Sequence, residues 1–148
     1  MDRLAYSLLP LAGGVLVAAQ APINARLRTV LGSPLAAGFV SFAVGTALLL
    51  VLMVLAGQAG AVSRVGGGPW WVYLGGVCGT ALVVGTLVAV PRIGVLATFV
   101  AVIVGEVAMA LAIDRFGWFH AHRIPVTWDR LLGIGLMIGG LLLILRRR

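Results

Sequence analysis

Residues 94–114, GVLATFVAVIVGEVAMALAID, carry a single ionisable side chain, Glu106, before the closing Asp114. A run of that length is enough to cross a bilayer as a helix, which takes about 20 mainly apolar residues. It is one of five apolar spans, at 4–25, 34–56, 70–90, 94–113 and 130–145. Five spans among 148 residues leave no room for a separate soluble domain. They predict an all-α integral membrane protein built as a single five-helix transmembrane domain, 1–148. The start, Arg3 and an apolar run ending in Ala19-Gln20-Ala21, matches a signal-peptide cleavage pattern. Pro22 directly after it is awkward for cleavage, and the segment reads as the first membrane helix.

Composition agrees. The chain is 61% hydrophobic and 10% charged, far more apolar than a soluble domain. Its 11 basic residues are all arginine, and the acids are Asp2, Glu106, Asp114 and Asp129. A net charge of +7 in a soluble protein would suggest nucleic acid, but these arginines lie at span ends, where they mark the membrane surface. No single element carries a basic patch, so no nucleic-acid partner is expected. Cys78 is the lone cysteine and reads as a small apolar residue within a span. His120-x-His122 offers two metal ligands where a site needs more, so no metal is expected. Gly66-Gly67-Gly68 lacks the Lys-Ser/Thr that completes a phosphate loop. With no nucleophile–base pair and no cofactor motif, the chain reads as neither an enzyme nor a cofactor protein.

The polar residues inside the spans are the candidate site. A carboxylate inside a membrane costs free energy unless it meets protein or water, which makes Glu106 a functional candidate. It lies roughly 10 Å short of the Asp114 end at about 1.5 Å per residue. Ala97, Ala101, Gly105, Ala108 and Ala112 form a small-residue face on the same helix, with Glu106 at its rim. The plainer reading of Glu106 is a neutral acid hydrogen-bonded at a helix contact. In the first span, Gln20 and Asn24 share a helix face beside Pro22, whose missing N–H frees the carbonyl of Ala18. They line a cavity or bond across helices; the sequence favours neither. Ser33-Pro34 opens the second span as N-cap and first helical residue. Ala37, Ser41 and Gly45 continue it as a small-residue stripe, with Phe42 and Thr46 beside it. Ser41 and Phe42 are weaker binding candidates.

Gly75-x-x-x-Gly79 and Gly135-x-x-x-Gly139 predict close helix contacts. The glycine-rich connection 57–69 is expected to be flexible, and Trp70, Trp71, Tyr73, Trp118, Phe119 and Trp128 suit the membrane interface. Pro91-Arg92 is expected to end the third span and begin a hairpin. Arg146, Arg147 and Arg148 form a basic stop. With five crossings, Arg3, Arg64, Arg115, Arg123 and Arg130 fall on one side of the membrane. Arg26, Arg28, Arg92 and Arg146 to Arg148 fall on the other, so the charge bias hardly selects an orientation. Insertion both ways would let two copies pair antiparallel as an inverted repeat of ten helices.

The chain resembles the half-length bacterial family named after YdcZ, within the drug/metabolite transporter superfamily. The resemblance rests on Gln20, Asn24 and Leu27-Arg28, SPLAAGFVSFAVGT at 33–46, and PWW at 69–71. LGG at 74–76, PRIG at 91–94, DRFG at 114–117 and the glycine-rich last span extend it. It implies an inner-membrane, five-helix unit that pairs into a ten-helix transporter, with the first four helices of each half lining the pathway. Glu106 stands where the family pattern leads to a glutamine, and Arg115 where histidine is more usual. The expected function is transport of a small molecule, an organic cation being one candidate, by an antiparallel homodimer in the lipid bilayer. Gln20, Asn24, Glu106, Ser41 and Phe42 are the expected substrate-binding residues, and Glu106 the expected proton-coupling group. The alternative is a membrane interaction protein that does not transport, or the partner subunit of a heteromeric transporter.

Overall fold

The computed structural model describes residues 3–146, with side chains from Tyr6 onward. Asp2, Arg147, Arg148 and the side chain of Arg3 lie outside the described residues. Five long helices follow one another: α1 (Arg3–Leu31), α2 (Pro34–Leu55), α3 (Gly75–Ile93), α4 (Val95–Phe116) and α5 (Trp128–Leu145). No strand occurs among the described residues. Each helix, with a short 3-10 turn Trp70–Leu74 leading into α3, is long and apolar enough to cross a membrane. No more than 11% of any span's most apolar window is buried within the chain. Such continuous apolar exposure fits hydrocarbon as the surrounding solvent.

The chain divides into two compact units, one ending at Arg92 and the other beginning at Ile93. In the first unit α1 packs along α2. Ser33 caps α2 as expected, its hydroxyl accepting from Ala36 N–H at 3.3 Å. Gly38 on α2 is buried, and a Cβ there would touch Val83, Val84 and Leu87 of α3 at 3.8–3.9 Å. Phe42 reaches α3 one turn later, 3.7 Å from where a Cβ of Gly79 would lie. Ala21, Ala37, Leu87 and Val90 make the small buried core of these three helices.

Pro91 does not end α3, which continues to Ile93. A proline inside a helix has no N–H for the carbonyl four residues earlier. That carbonyl belongs to Leu87, whose side chain is only 1% exposed. Arg28 of α1 supplies the missing donor: its Nη1 donates to the Leu87 carbonyl at 2.7 Å. The arginine read as a membrane-surface marker is therefore turned inward and ties α1 to α3. The helix break comes at Gly94, whose φ of 84° is in the region that favours glycine.

Three further expectations change. The first helix runs to Leu31, because Pro22 is accommodated within it. The connection 57–69 contains a 3-10 helix, Ala59–Arg64, and Gly66 N–H donates to the Tyr73 hydroxyl at 2.7 Å. Tyr73 thus anchors the glycine-rich loop as well as facing outward.

In the second unit α4 packs along α5. Gly117, at φ 69°, closes α4 in a left-handed cap by donating to the Ile113 carbonyl at 2.8 Å. The returning chain pairs Ile124 N–H with the Asp114 carbonyl at 2.9 Å. Arg130 Nη1 meets Asp114 Oδ2 at 3.0 Å, both about a third exposed. Such an exposed pair fixes register and contributes at most about 1 kcal/mol. Between the helices lies a groove of about 280 Å³ lined by Val107, Ala110 and Leu111 of α4 and Gly133, Ile134 and Met137 of α5.

The Arg28–Leu87–Pro91 arrangement generates a test. Arg28→Ala leaves a buried carbonyl unpaired and should cost about 1–3 kcal/mol. Pro91→Ala restores an N–H to the same carbonyl. Arg28→Ala should therefore cost clearly less in the Pro91→Ala background. Thermal unfolding of the four proteins in detergent measures the coupling, and strictly additive losses would contradict it.

Candidate functional site

Three polar residues of α1, Gln20, Asn24 and Arg28, are spaced by four, which places them along one side of the helix. Gln20 Nε2 donates to Ser41 Oγ of α2 at 3.2 Å, so two expected site residues meet across α1 and α2. Asn24, one turn on, is 6% exposed and has no hydrogen-bond partner among the described residues. No unpartnered side-chain nitrogen or oxygen of the described residues is fully occluded, so its amide keeps a narrow access to solvent. Arg28 follows, partly buried and engaged with α3. Phe42 is 40% exposed and packs on Gly79, beside Ser41 rather than in a separate place. The first unit therefore assembles Gln20, Ser41, Asn24 and Arg28 as a polar seam between apolar faces. Arg28 was not among the binding candidates, because a terminal arginine in sequence looks like a surface anchor. The signal that would have found it is Pro91, which requires an outside donor for Leu87.

Glu106 belongs to the second unit. It lies at the middle of α4, about 15 Å from either end at 1.5 Å per residue, because α4 extends past Asp114 to Phe116. The sequence reading placed it nearer the Asp114 end. Glu106 is exposed in the single chain and makes no hydrogen bond or ion pair among the described residues. The plainer reading, a neutral acid hydrogen-bonded at a helix contact, finds no partner for it among the described residues of this chain. The α5-facing side of α4 runs through Val107, Ala110, Leu111 and Asp114, roughly a quarter turn from Glu106.

The small-residue face of α4 is not its contact with α5. It points roughly 130° away from the groove, and Ala101, Gly105 and Ala108 are exposed. Ala97, at the start of that face, is buried. On α5, Gly135 and Gly139 likewise lie roughly 150–170° from the side that meets α4. A Cβ at either would meet nothing within 4 Å. Gly79, by contrast, already has Phe42 against it. The two glycine pairs thus do different jobs: Gly79 serves packing inside the chain, whereas Gly135 and Gly139 present a bare face.

The loop after α4 holds two residues in left-handed conformations, Phe119 at φ 57° and His120 at φ 63°. Both histidines are exposed. Phe116 and Trp118 stack at 5.3 Å between ring centres, forming an aromatic cluster at the end of the span.

Five bilayer-length helices describe a multi-pass membrane protein. No curated protein and no solved structure matches the chain. The family described as "Putative inner membrane exporter, YdcZ" matches residues 5–143, nearly the whole length, and the chain belongs to that family of multi-pass inner-membrane proteins.

Proposed function

We propose that the protein is a secondary transporter of the drug/metabolite transporter type, coupled to protons through Glu106 and working as an antiparallel homodimer. Glu106 is the observation that carries this reading. A carboxylate at the middle of a membrane helix, exposed and without a partner in its own chain, is costly against lipid. Water, a cationic solute or a second copy of the chain lowers that cost. Assembly into a dimer enclosing a wet pathway supplies all three. Competition between a proton and a cationic group for one carboxylate gives exchange with no further machinery. Gln20, Asn24, Ser41 and Phe42 are the proposed neutral lining, and the substrate is a small molecule. The exporter family supports transport over catalysis.

The bare Gly135/Gly139 face supports association, but with a second copy or with a different membrane partner. A subunit that serves a heteromeric transporter is the second reading. Flux in liposomes containing only this protein separates the two.

Three outcomes are expected. Glu106→Gln keeps shape and removes the charge, so it should fold and assemble while proton-driven uptake of organic cations falls to that of protein-free liposomes. Uptake that still follows an imposed pH gradient would end the coupling role. Gly139→Leu fills the bare face and should lower the dimer fraction in a lipid dilution series, with thermal stability of the single chain unchanged. An unaltered dimer fraction would remove that face from the assembly. Reporters fused to the C-terminus should signal from both sides of the membrane, and two lysines added on one side should drive all copies one way. A single reporter location in the unmodified chain contradicts antiparallel pairing.

A further inference from the structure

The charge on Arg28 has no counter-ion among the described residues of its own unit. Between Arg3 and Arg92 the sequence contains no aspartate or glutamate. The ion pair among the described residues lies in the other unit, between Arg130 and Asp114. Arg28 is partly buried, and its one hydrogen bond goes to the neutral carbonyl of Leu87. A guanidinium has five N–H donors. A carbonyl satisfies one of them and leaves the charge unneutralised, which is unfavourable away from water. Its near neighbour Arg26 is exposed and donates to the Thr29 hydroxyl at 3.4 Å, so it adds positive charge rather than relieving it.

Asn24 supplies a second, independent observation. The residue is 6% exposed, and its carboxamide, without a hydrogen-bond partner among the described residues, keeps a narrow access to its surroundings. Buried amides are nearly always paired, and an unpaired one costs free energy. A water molecule would satisfy the amide but not the neighbouring charge. An oxyanion satisfies both, because carboxylate and phosphate oxygens accept from an amide N–H and from the guanidinium fork together. Asn24 and Arg28 lie one helical turn apart on the same side of α1, a separation such a group can bridge.

We propose that Asn24 and Arg28 form an oxyanion-binding subsite, whose ligand carries a carboxylate or a phosphate. The subsite stands apart from the proton-coupling reading: it needs neither Glu106 nor transport. Arg28 holds two roles there, one donor closing the Leu87 carbonyl and the remaining donors facing the ligand. The oxyanion can belong to a solute or to a lipid headgroup.

The test is the thermal midpoint of the full-length protein in neutral detergent. It is titrated with acetate, benzoate and inorganic phosphate against chloride at equal ionic strength, and separately with phosphatidylglycerol. Four proteins are compared: wild type, Pro91→Ala, Asn24→Ala, and Arg28→Gln in the Pro91→Ala background. In the last, residue 91 gives the Leu87 carbonyl a backbone donor, which separates loss of the ligand from loss of the helix contact. Saturable stabilisation of wild type and Pro91→Ala beyond chloride is expected. It should vanish in the double variant, and Asn24→Ala should need about tenfold more anion or more, as befits loss of a charge-supported hydrogen bond. A response to the soluble anions establishes a solute subsite. A response to phosphatidylglycerol alone assigns the same chemistry to a lipid phosphate. No response to any of the anions in wild type, or an undiminished response in the double variant, overturns the proposal. Should the double variant not fold, an undiminished response in Asn24→Ala overturns it. Because the readout is binding and not flux, failure of the transporter reading would leave this result standing.

Discussion

The three-helix unit depends on one backbone carbonyl. Pro91 withholds the N–H that would have paired with Leu87, and Arg28 reaches from α1 to replace it at 2.7 Å. The side chain of the same residue packs against Gly38 of α2. Leu87 is thus the point at which α1, α2 and α3 meet, one contact polar and one apolar. In hydrocarbon there is no hydrophobic gain from bringing two apolar helices together, so close packing and satisfied backbone groups must do it. A glycine that admits Leu87 and an arginine that completes its carbonyl provide both. The second unit uses the same logic more weakly, through a partly exposed ion pair between Asp114 and Arg130 and a shallow apolar groove.

A chain whose spans bury so little of themselves leaves most of its surface to its surroundings. For leucine, valine and isoleucine that surface is lipid and needs nothing more. Glu106 and the small faces around Gly105 and Gly139 are different in kind. A carboxylate is poorly accommodated by hydrocarbon. A small-residue face loses contact area to lipid that another helix would fill. Their presence together on the outside of one chain is what supports the proposed dimer. The first unit holds a charge of the opposite sign, Arg28, with no acidic partner among its described residues.

How much of this was legible in the residues follows from which interactions are local. Bilayer-length apolar runs and the Ser33-Pro34 start of α2 depend on neighbours a few positions away, so the sequence displays them directly. The side-by-side placement of Gln20 and Asn24 follows from helical periodicity. Family membership also came through, on motifs spread from 20 to 117, and the match over residues 5–143 agrees. Pro91 shows where local reasoning fails. By its own chemistry it is a helix breaker, yet α3 continues through it, and Arg28 of α1, 59 positions before Leu87, donates to the carbonyl it leaves open.

The sequence by itself therefore determined the solvent of this protein, the number of its crossings and the depth at which a lone acid would be placed to within a few residues. Those properties sum over short windows of apolar and polar side chains. Only the tertiary structure decided that Arg28 faces inward, that Gln20 bonds Ser41 while Asn24 is left unpaired, and that the small faces of α4 and α5 turn away from each other. Each of these depends on which helix lies opposite which. In a chain where nearly every face is apolar, hydrophobic pattern does not distinguish one pairing from another. Single hydrogen bonds and missing side-chain atoms make that choice.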